Sequence, residues 1–375
     1  MYNGKENNIM YYIMNTDIII AEYDYIKNEF GTAVPQLVSG CLPEIYGDMK
    51  LKSWLETRRS AKHRAEIARM LRNLGMTDLK SFIDVSLGLT LTDTLWIKEE
   101  HSDIKWEEVN LYDNEFSEIV SQTAFIGGIS DLSFKTTSPE YGTDGMLPKC
   151  WLRRNEDVYL LKDGTRGIES TAFEPYSEYF VSQLETALGI NHIEYDLDCY
   201  HDRIVSSCKL ITSKEVSMIP SVYYFMNCSE LPEYLACADS LNVGDKMREM
   251  LILDALTCNY DRHLNNIQFL VDSDTFEIID LAPIFDNGMG LCSHCKEESV
   301  DAFIEYGSDH VPFAYYSFDD HIPQLMSKYM YNRIDSIKDF VFVNHKDYLV
   351  SDERLTALNG FIQHRINRLL ALYKE

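Results

Sequence analysis

No stretch constrains this chain more than the one from Asn259 to Asp286. It opens with Asn259-Tyr260-Asp261-Arg262-His263-Leu264-Asn265-Asn266 and continues into the β-rich run Ile267-Gln268-Phe269-Leu270-Val271. The polar turn Asp272-Ser273-Asp274-Thr275 follows, then a second β-rich run that ends in Leu281-Ala282-Pro283-Ile284-Phe285-Asp286. Two such runs around a short polar turn predict a β-hairpin. The open ends of an antiparallel hairpin lie side by side, about 5 Å apart. Asn266, just before the first strand, is therefore expected near Asp280 and Asp286, with Asp261 in the loop that enters the hairpin. An Asp, an Asn and a second Asp at one hairpin mouth suit a magnesium–phosphate site. Hard cations take oxygen ligands, and magnesium needs only one or two carboxylates beside substrate phosphates. That leaves Asp261 to accept a hydroxyl proton.

Asp261-Arg262-His263-x-x-Asn266, followed by a hairpin and Leu281-Ala282-Pro283-Ile284-Phe285-Asp286, resembles the catalytic and metal-binding segments of the HipA-like kinases. These are bacterial serine/threonine kinases related in fold to the phosphoinositide kinases. The resemblance covers residues 138–290 and is most specific in the catalytic stretch. It implies an α+β, bilobal protein-kinase-like fold with a small β-rich N-lobe and a helical C-lobe. It implies ATP and magnesium as cofactors and a serine or threonine of a protein as acceptor. In that reading Asp261 is the base, Asn266 and Asp286 are magnesium ligands, Lys162 is the phosphate contact and Glu178 is the partner of Lys162.

The chain has 375 residues, enough for two or three packed units. With 45% hydrophobic and 25% charged residues it falls in the ordinary globular class. A net charge of −26 argues against a nonspecific nucleic-acid binder, which needs positive surface to displace phosphate counterions. Nine scattered cysteines, an odd number without framework spacing, point to a reducing compartment. Neither a signal peptide nor an apolar run of the ~20 residues that a membrane helix needs is expected, so the expected location is the cytoplasm.

Three regions are expected: a mostly helical one over 1–125, a kinase N-lobe over 126–215 and a helical C-lobe over 216–375. In the first, Asp17–Ile26 reads as a strand and Ser53–Leu74 as a helix, with a second helix capped by Asp78. The polar face of the Ser53–Leu74 helix carries Arg58, Arg59, Lys62, Arg64, Arg69 and Arg72. It reads either as a solvated face or as a docking face for an acidic partner or nucleic acid. Trp96, Trp106, Tyr112 and Phe116 read as core. The N-lobe opens with a glycine-containing loop through Gly145 to Lys149, where close backbone approach to phosphates is possible. Gly145 and Lys149 are similar to the phosphate-covering loop of the HipA-like kinases. Asp157–Lys162 reads as a strand with Val158, Leu160 and Lys162 on one face. A helix is expected from Pro175 to Leu188, with Glu178 one turn in and Gly189 as its stop. Arg203–Thr212 reads as the strand leading to an adenine-binding hinge, with Leu210 and Thr212 as its contacts.

In the C-lobe, Val243–Thr257 reads as a helix capped by Asp245 that launches the catalytic loop. Asn287-Gly288-Met289-Gly290 reads as a flexible hinge, followed by an irregular segment to Tyr316 in the place of an activation segment. Leu355–Leu372 reads as the last helix. His263 is read as bracing the catalytic loop beside the nucleotide. The phosphoinositide kinases place their metal aspartate directly after an apolar strand, which Asp280 fits; Asp286 fits the HipA-like placement. Cys292-Ser293-His294-Cys295 is a weak zinc half-site without a second pair. Ser138 and Thr143 are candidates for autophosphorylation in the loop. Residues 1–125 read unlike the β-rich subdomain through which HipA meets its DNA-binding antitoxin, and the arrangement is closer to the cell-translocating kinase type. The partners implied are a protein substrate and an antitoxin-like protein, with neither membrane nor direct nucleic acid. The readings weighed against a protein kinase are a lipid or small-molecule kinase and a nucleotide-binding pseudokinase.

Overall fold

Tyr11–Asn15 (β1) and Ile18–Lys27 (β2) pair antiparallel, Asn15 opposite Ile18, so that Thr16 and Asp17 alone make the turn. Thr16 takes the left-handed conformation that such two-residue turns require, with φ +51°. Ala33–Gly40 (β3) pairs with β2 and Leu95–Glu99 (β4) with β1, giving the sheet order β3-β2-β1-β4. Among the described residues, a sheet thus stands where a mostly helical N-terminal region was expected. The sheet is flanked by the helices Leu51–Thr57 (α1) and Leu79–Ser86 (α2). Asp78 caps α2 as expected: its carboxylate accepts from the Ser81 N–H at 2.8 Å, and the Ser81 hydroxyl returns a bond to the Asp78 backbone.

The computed structural model describes residues 9–59, 78–116, 125, 138–139, 147–166 and 170–374. Within them the chain forms two units. The first comprises Met1–Leu160, Leu210–Ile219 and Val271–Ile278; the second comprises Leu161–Lys209, Pro220–Leu270 and Ile279–Glu375. In the first unit Trp96 and Trp106 are buried with Met14, Leu89, Leu91 and Val158, while Tyr112, Phe116, Trp151 and Leu210 pack against them. Arg58 also corrects the sequence reading. It is buried, donates to both carboxylate oxygens of Asp93 at 2.5 and 2.7 Å, and reaches the Gly88 and Leu95 carbonyls. The other basic positions from Lys62 to Arg72 lie outside the described residues. Lys149–Arg154 (β5) and Asp157–Lys162 (β6) follow, joined at Asn155, which is left-handed. The last two residues of β6, Leu161 and Lys162, belong to the second unit.

In the second unit, Glu174–Leu188 (α3) carries Pro175 in its first turn and stops at Gly189, left-handed at φ +65°. Tyr195–Tyr200 (β7) and Arg203–Lys209 (β8) form a hairpin whose two turn residues, His201 and Asp202, are both left-handed. Leu231–Ser240 (α4) packs against Gly244–Thr257 (α5). Val243, not Asp245, precedes α5, and Asp245 lies in its first turn without a capping bond.

Val216–Pro220 (β9), Gln268–Asp272 (β10) and Ile278–Leu281 (β11) form a sheet in the order β11-β10-β9. The expected hairpin is thus present, its turn held by Asp272, whose carboxylate accepts the N–H groups of Asp274 and Thr275. The segment expected to be irregular as far as Tyr316 contains the helix Val300–Ser308 (α6), capped by Ser299. Gly307 lets α6 close on the end of α5, because a Cβ there would stand 2.9 Å from the Cys258 sulfur. Phe318–Leu325 (α7), Lys328–Ser336 (α8) and Asp352–Leu372 (α9) complete the unit. α9 turns Ala357, Leu358, Phe361, Ile362, Ile366 and Leu369 into the interior against α5 to α8. Among the described residues no helix is long and apolar enough to cross a membrane.

Candidate active site

β6 ends by delivering Lys162 into the interior of the second unit. Its ammonium lies 2.5 Å from Glu178 on α3 and 2.8 Å from Asp286. Burial works against the ammonium, but the charges of Asp286 and Glu178 overcome it and hold the lysine well above its ordinary range. Burial pushes the Glu178 carboxyl up, while Lys162 and the Asn287 N–H, which donates to Glu178 at 2.9 Å, pull it back. The Tyr195 ring lies 5.4 Å from the ammonium, and its hydroxyl accepts from the Asp286 N–H at 3.4 Å. The lysine, the glutamate and the second aspartate expected from the sequence are therefore in contact, across more than a hundred residues of chain.

The loop of Asp261 grows from the end of α5, where Cys258 is left-handed and turns the chain. Arg262 then folds under the loop. It is buried, donates to both oxygens of Asp254 on α5, and reaches the Phe285 carbonyl at 2.6 Å and the Asn287 side-chain oxygen at 2.6 Å. One guanidinium thus ties α5 to both neighbours of Asp286 in the chain. The hairpin mouth is closed by the Ala282 N–H, which donates to Gln268 at 2.8 Å. Ile284 is pinned to Asn191 and Ile193, just beyond α3.

Asp261 reaches solvent at this mouth. Its carboxyl is raised above the ordinary range, first because the surrounding protein displaces water and then because Asp286 adds negative charge; His263 and Arg262 oppose the shift. Asn266 donates its amide N–H to the Asp261 carbonyl at 3.3 Å. An amide oxygen and the Asp286 carboxylate are the hard-oxygen donors that suit magnesium. His263 is exposed, and its backbone carbonyl accepts from the Asn266 N–H at 2.8 Å, so its backbone is what braces the loop. Asp280 pairs with Lys246 on α5.

Three expected nucleotide contacts belong to the first unit and are engaged there. Lys149 begins β5. The Leu210 N–H is taken by the Val158 carbonyl at 2.8 Å, and the Thr212 hydroxyl donates to the Leu91 carbonyl at 2.5 Å. Gly145 and Thr143 lie outside the described residues, and Ser138 is buried. Among the described residues no three His, Cys, Asp or Glu side chains converge as a metal site. His294 of the tempting half-site instead meets Glu174 at 2.8 Å. Sequence reasoning missed Arg262, Asp254, Tyr195, Glu185 and Asn287. Of these, Arg262 and Asn287 had a signal, since each directly follows one of the two expected aspartates.

No family model matches the chain. Over 193 residues it is 25% identical to the serine/threonine-protein kinase CtkA of Helicobacter pylori strain J99. The chain is thus similar in sequence to a serine/threonine-protein kinase. The match takes in 45% of this chain, which spans 58% of the length of CtkA. Among solved structures, the crystal structure of H. pylori CtkA, a proinflammatory kinase, aligns with a TM-score of 0.48 and 19% identity over 60% of this chain and 93% of that one. HipA of Shewanella oneidensis MR-1, in its complex with HipB and operator DNA, aligns with a TM-score of 0.48 and 12% identity over 96% of both chains.

Proposed function

We propose that this chain is a serine/threonine kinase that transfers a phosphoryl group from magnesium-bound ATP to a protein. The observation that carries the reading is the buried cation Lys162 held between Glu178 and Asp286, with Arg262 locking the loop of Asp261 and Asn266 to the segment of Asp286. Phosphoryl transfer asks the protein for positioning and charge stabilisation more than for covalent chemistry. Lys162 presents a fixed positive charge to the phosphates. Asp261, its carboxyl raised above the ordinary range by the surrounding protein, orients the acceptor hydroxyl and takes its proton. Asn266 and Asp286 would hold magnesium, which when bound neutralises charge on the phosphate oxygens. Asp286 is favoured over Asp280 for that role because it shares Lys162 with Glu178 and its charge is the one that acts on Asp261.

We further propose a cytoplasmic location, which the nine free cysteines support. An antitoxin-like partner would meet the first unit, whose four-stranded sheet supplies a β-rich surface. The test is nucleotide binding: ATP should raise the melting temperature of the wild type only with magnesium, and Asp286→Asn should remove that dependence. An equal shift by ATP with and without the metal would contradict the assignment.

A further inference from the structure

Asn287 follows Asp286 and is buried, and every polar group it carries has a partner. Its N–H donates to Glu178 at 2.9 Å. Its carbonyl accepts from the Ser177 hydroxyl at 2.7 Å. Its amide nitrogen donates to Glu185 at 3.2 Å, and its amide oxygen accepts from Arg262 at 2.6 Å. Three of these partners stand on α3 and the fourth on the catalytic loop. We propose that Asn287 is a positioning residue that fixes the Asp286 carboxylate between the glutamate helix and the catalytic loop. The proposal rests on the reading of Asp286 as a metal ligand.

The surroundings explain why this position needs such a clamp. Asp286 is left-handed at φ +59°, a conformation that an L side chain disfavours. Its backbone is gripped on both sides: the Phe285 carbonyl by Arg262 and the Asn287 N–H by Glu178. Residue type matters at the clamp. Asparagine offers one donor and one acceptor in a single plane, matched here to a carboxylate and a guanidinium. Aspartate would answer Arg262 but offers no N–H to Glu185, leucine would answer neither, and glutamine is one methylene too long for a closed site. The run Asn287-Gly288-Met289-Gly290 is therefore held at its first residue instead of swinging as a hinge. The Gly290 carbonyl also accepts from Ser177, at 2.9 Å. A Cβ on Gly288 would stand 3.3 Å from Glu174, so that glycine serves close packing on α3.

Hydrogen exchange of the full chain, read by mass spectrometry on the peptide spanning 285–291, tests the clamp without turnover. Asn287→Ala should speed exchange of the 286–288 amides about tenfold, the loss expected for one or two hydrogen bonds, while the β10–β11 amides keep their wild-type rates. Asn287→Asp should do the same. Combining it with Glu185→Gln should bring the rate back to within about threefold of wild type, because the new donor faces the new carboxylate in a reversed pair. In turnover the apparent magnesium requirement should rise about tenfold in Asn287→Ala, with the KM for ATP little changed, as for other losses behind a metal ligand. Unchanged 286–288 exchange in Asn287→Ala, equally fast exchange in the hairpin, or no recovery in the double variant would each overturn the clamp. A wild type that transfers no phosphate would instead defeat the kinase reading, and the exchange result would still decide the role of Asn287.

Discussion

Replacing Lys162 with methionine is expected to destabilise the second unit as well as to silence it. The ammonium bridges Glu178, 2% exposed, and Asp286, 39% exposed at its side chain. Methionine fills a similar volume, so little of the loss is packing. What remains is the buried Glu178 carboxylate beside the Asp286 carboxylate, without the ammonium that bridged them. Breaking a buried pair by removing one partner costs about 3–5 kcal/mol, and the partial exposure of Asp286 argues for the lower end, about 3 kcal/mol. At about 2–4 °C per kcal/mol for a unit of this size, the melting temperature should fall by about 6–12 °C. Lys162→Met with Glu178→Met removes the stranded buried charge and should melt above Lys162→Met alone. The assay is far-UV circular dichroism during thermal and urea unfolding, because Trp54, Trp96, Trp106 and Trp151 all lie in the first unit and indole fluorescence would report on that unit. A Lys162→Met protein that melts within about 1 °C of wild type, or a double variant less stable than the single one, would refute the reasoning.

Arg262→Lys keeps the charge but cannot span Asp254, Phe285 and Asn287 together; it should cost about 2–4 kcal/mol and lower kcat more than it raises KM for ATP, as measured by urea unfolding and steady-state kinetics. Asp286→Asn should abolish activity, whereas Asp280→Asn should lose only the partly exposed pair with Lys246 and keep activity within about threefold; the reverse order in a kinase assay would move the metal to the phosphoinositide-kinase placement. Burial lowers the His321 pKa below its ordinary value of 6.5, so the folded chain binds that proton less readily than the unfolded one. Its contribution to stability is therefore complete above 6.5 and is lost as pH falls below that value toward the lowered folded one. His321→Gln should show a shallower drop in melting temperature between pH 7 and pH 5 than wild type.

The elements that proved legible are those with local punctuation. Asp157–Lys162 ends at Asp163-Gly164, α3 has Pro175 and Gly189 at its ends, and Asp78 caps α2 with Ser81 three residues on. The hairpin was legible because its turn is built from Asp272, whose side chain holds the turn itself. The β1–β2 hairpin was not, because Thr16-Asp17 lacks the glycine or asparagine that usually marks a two-residue turn, and the apolar residues on either side merge into one run. Ser299 before α6 was a readable cap that the polar stretch around it obscured. The burial of Arg58 depended on Asp93, far along the chain, which no helical period reveals. In the site, Lys162, Glu178, Asp261, Asn266 and Asp286 could be named from spacing and resemblance. Arg262 and Asn287 could not be given roles, because their partners on α3 and α5 meet them only in the folded chain.

The most direct test of the central claim is intact-mass analysis of wild type and Asp261→Asn after incubation with magnesium and ATP, with a mixed serine/threonine peptide pool as acceptor. The account predicts that added phosphate, on the chain or on the peptides, appears only with wild type and only when magnesium is present. Equal phosphate transfer by Asp261→Asn, or no transfer by a wild type that binds magnesium–ATP, would contradict it.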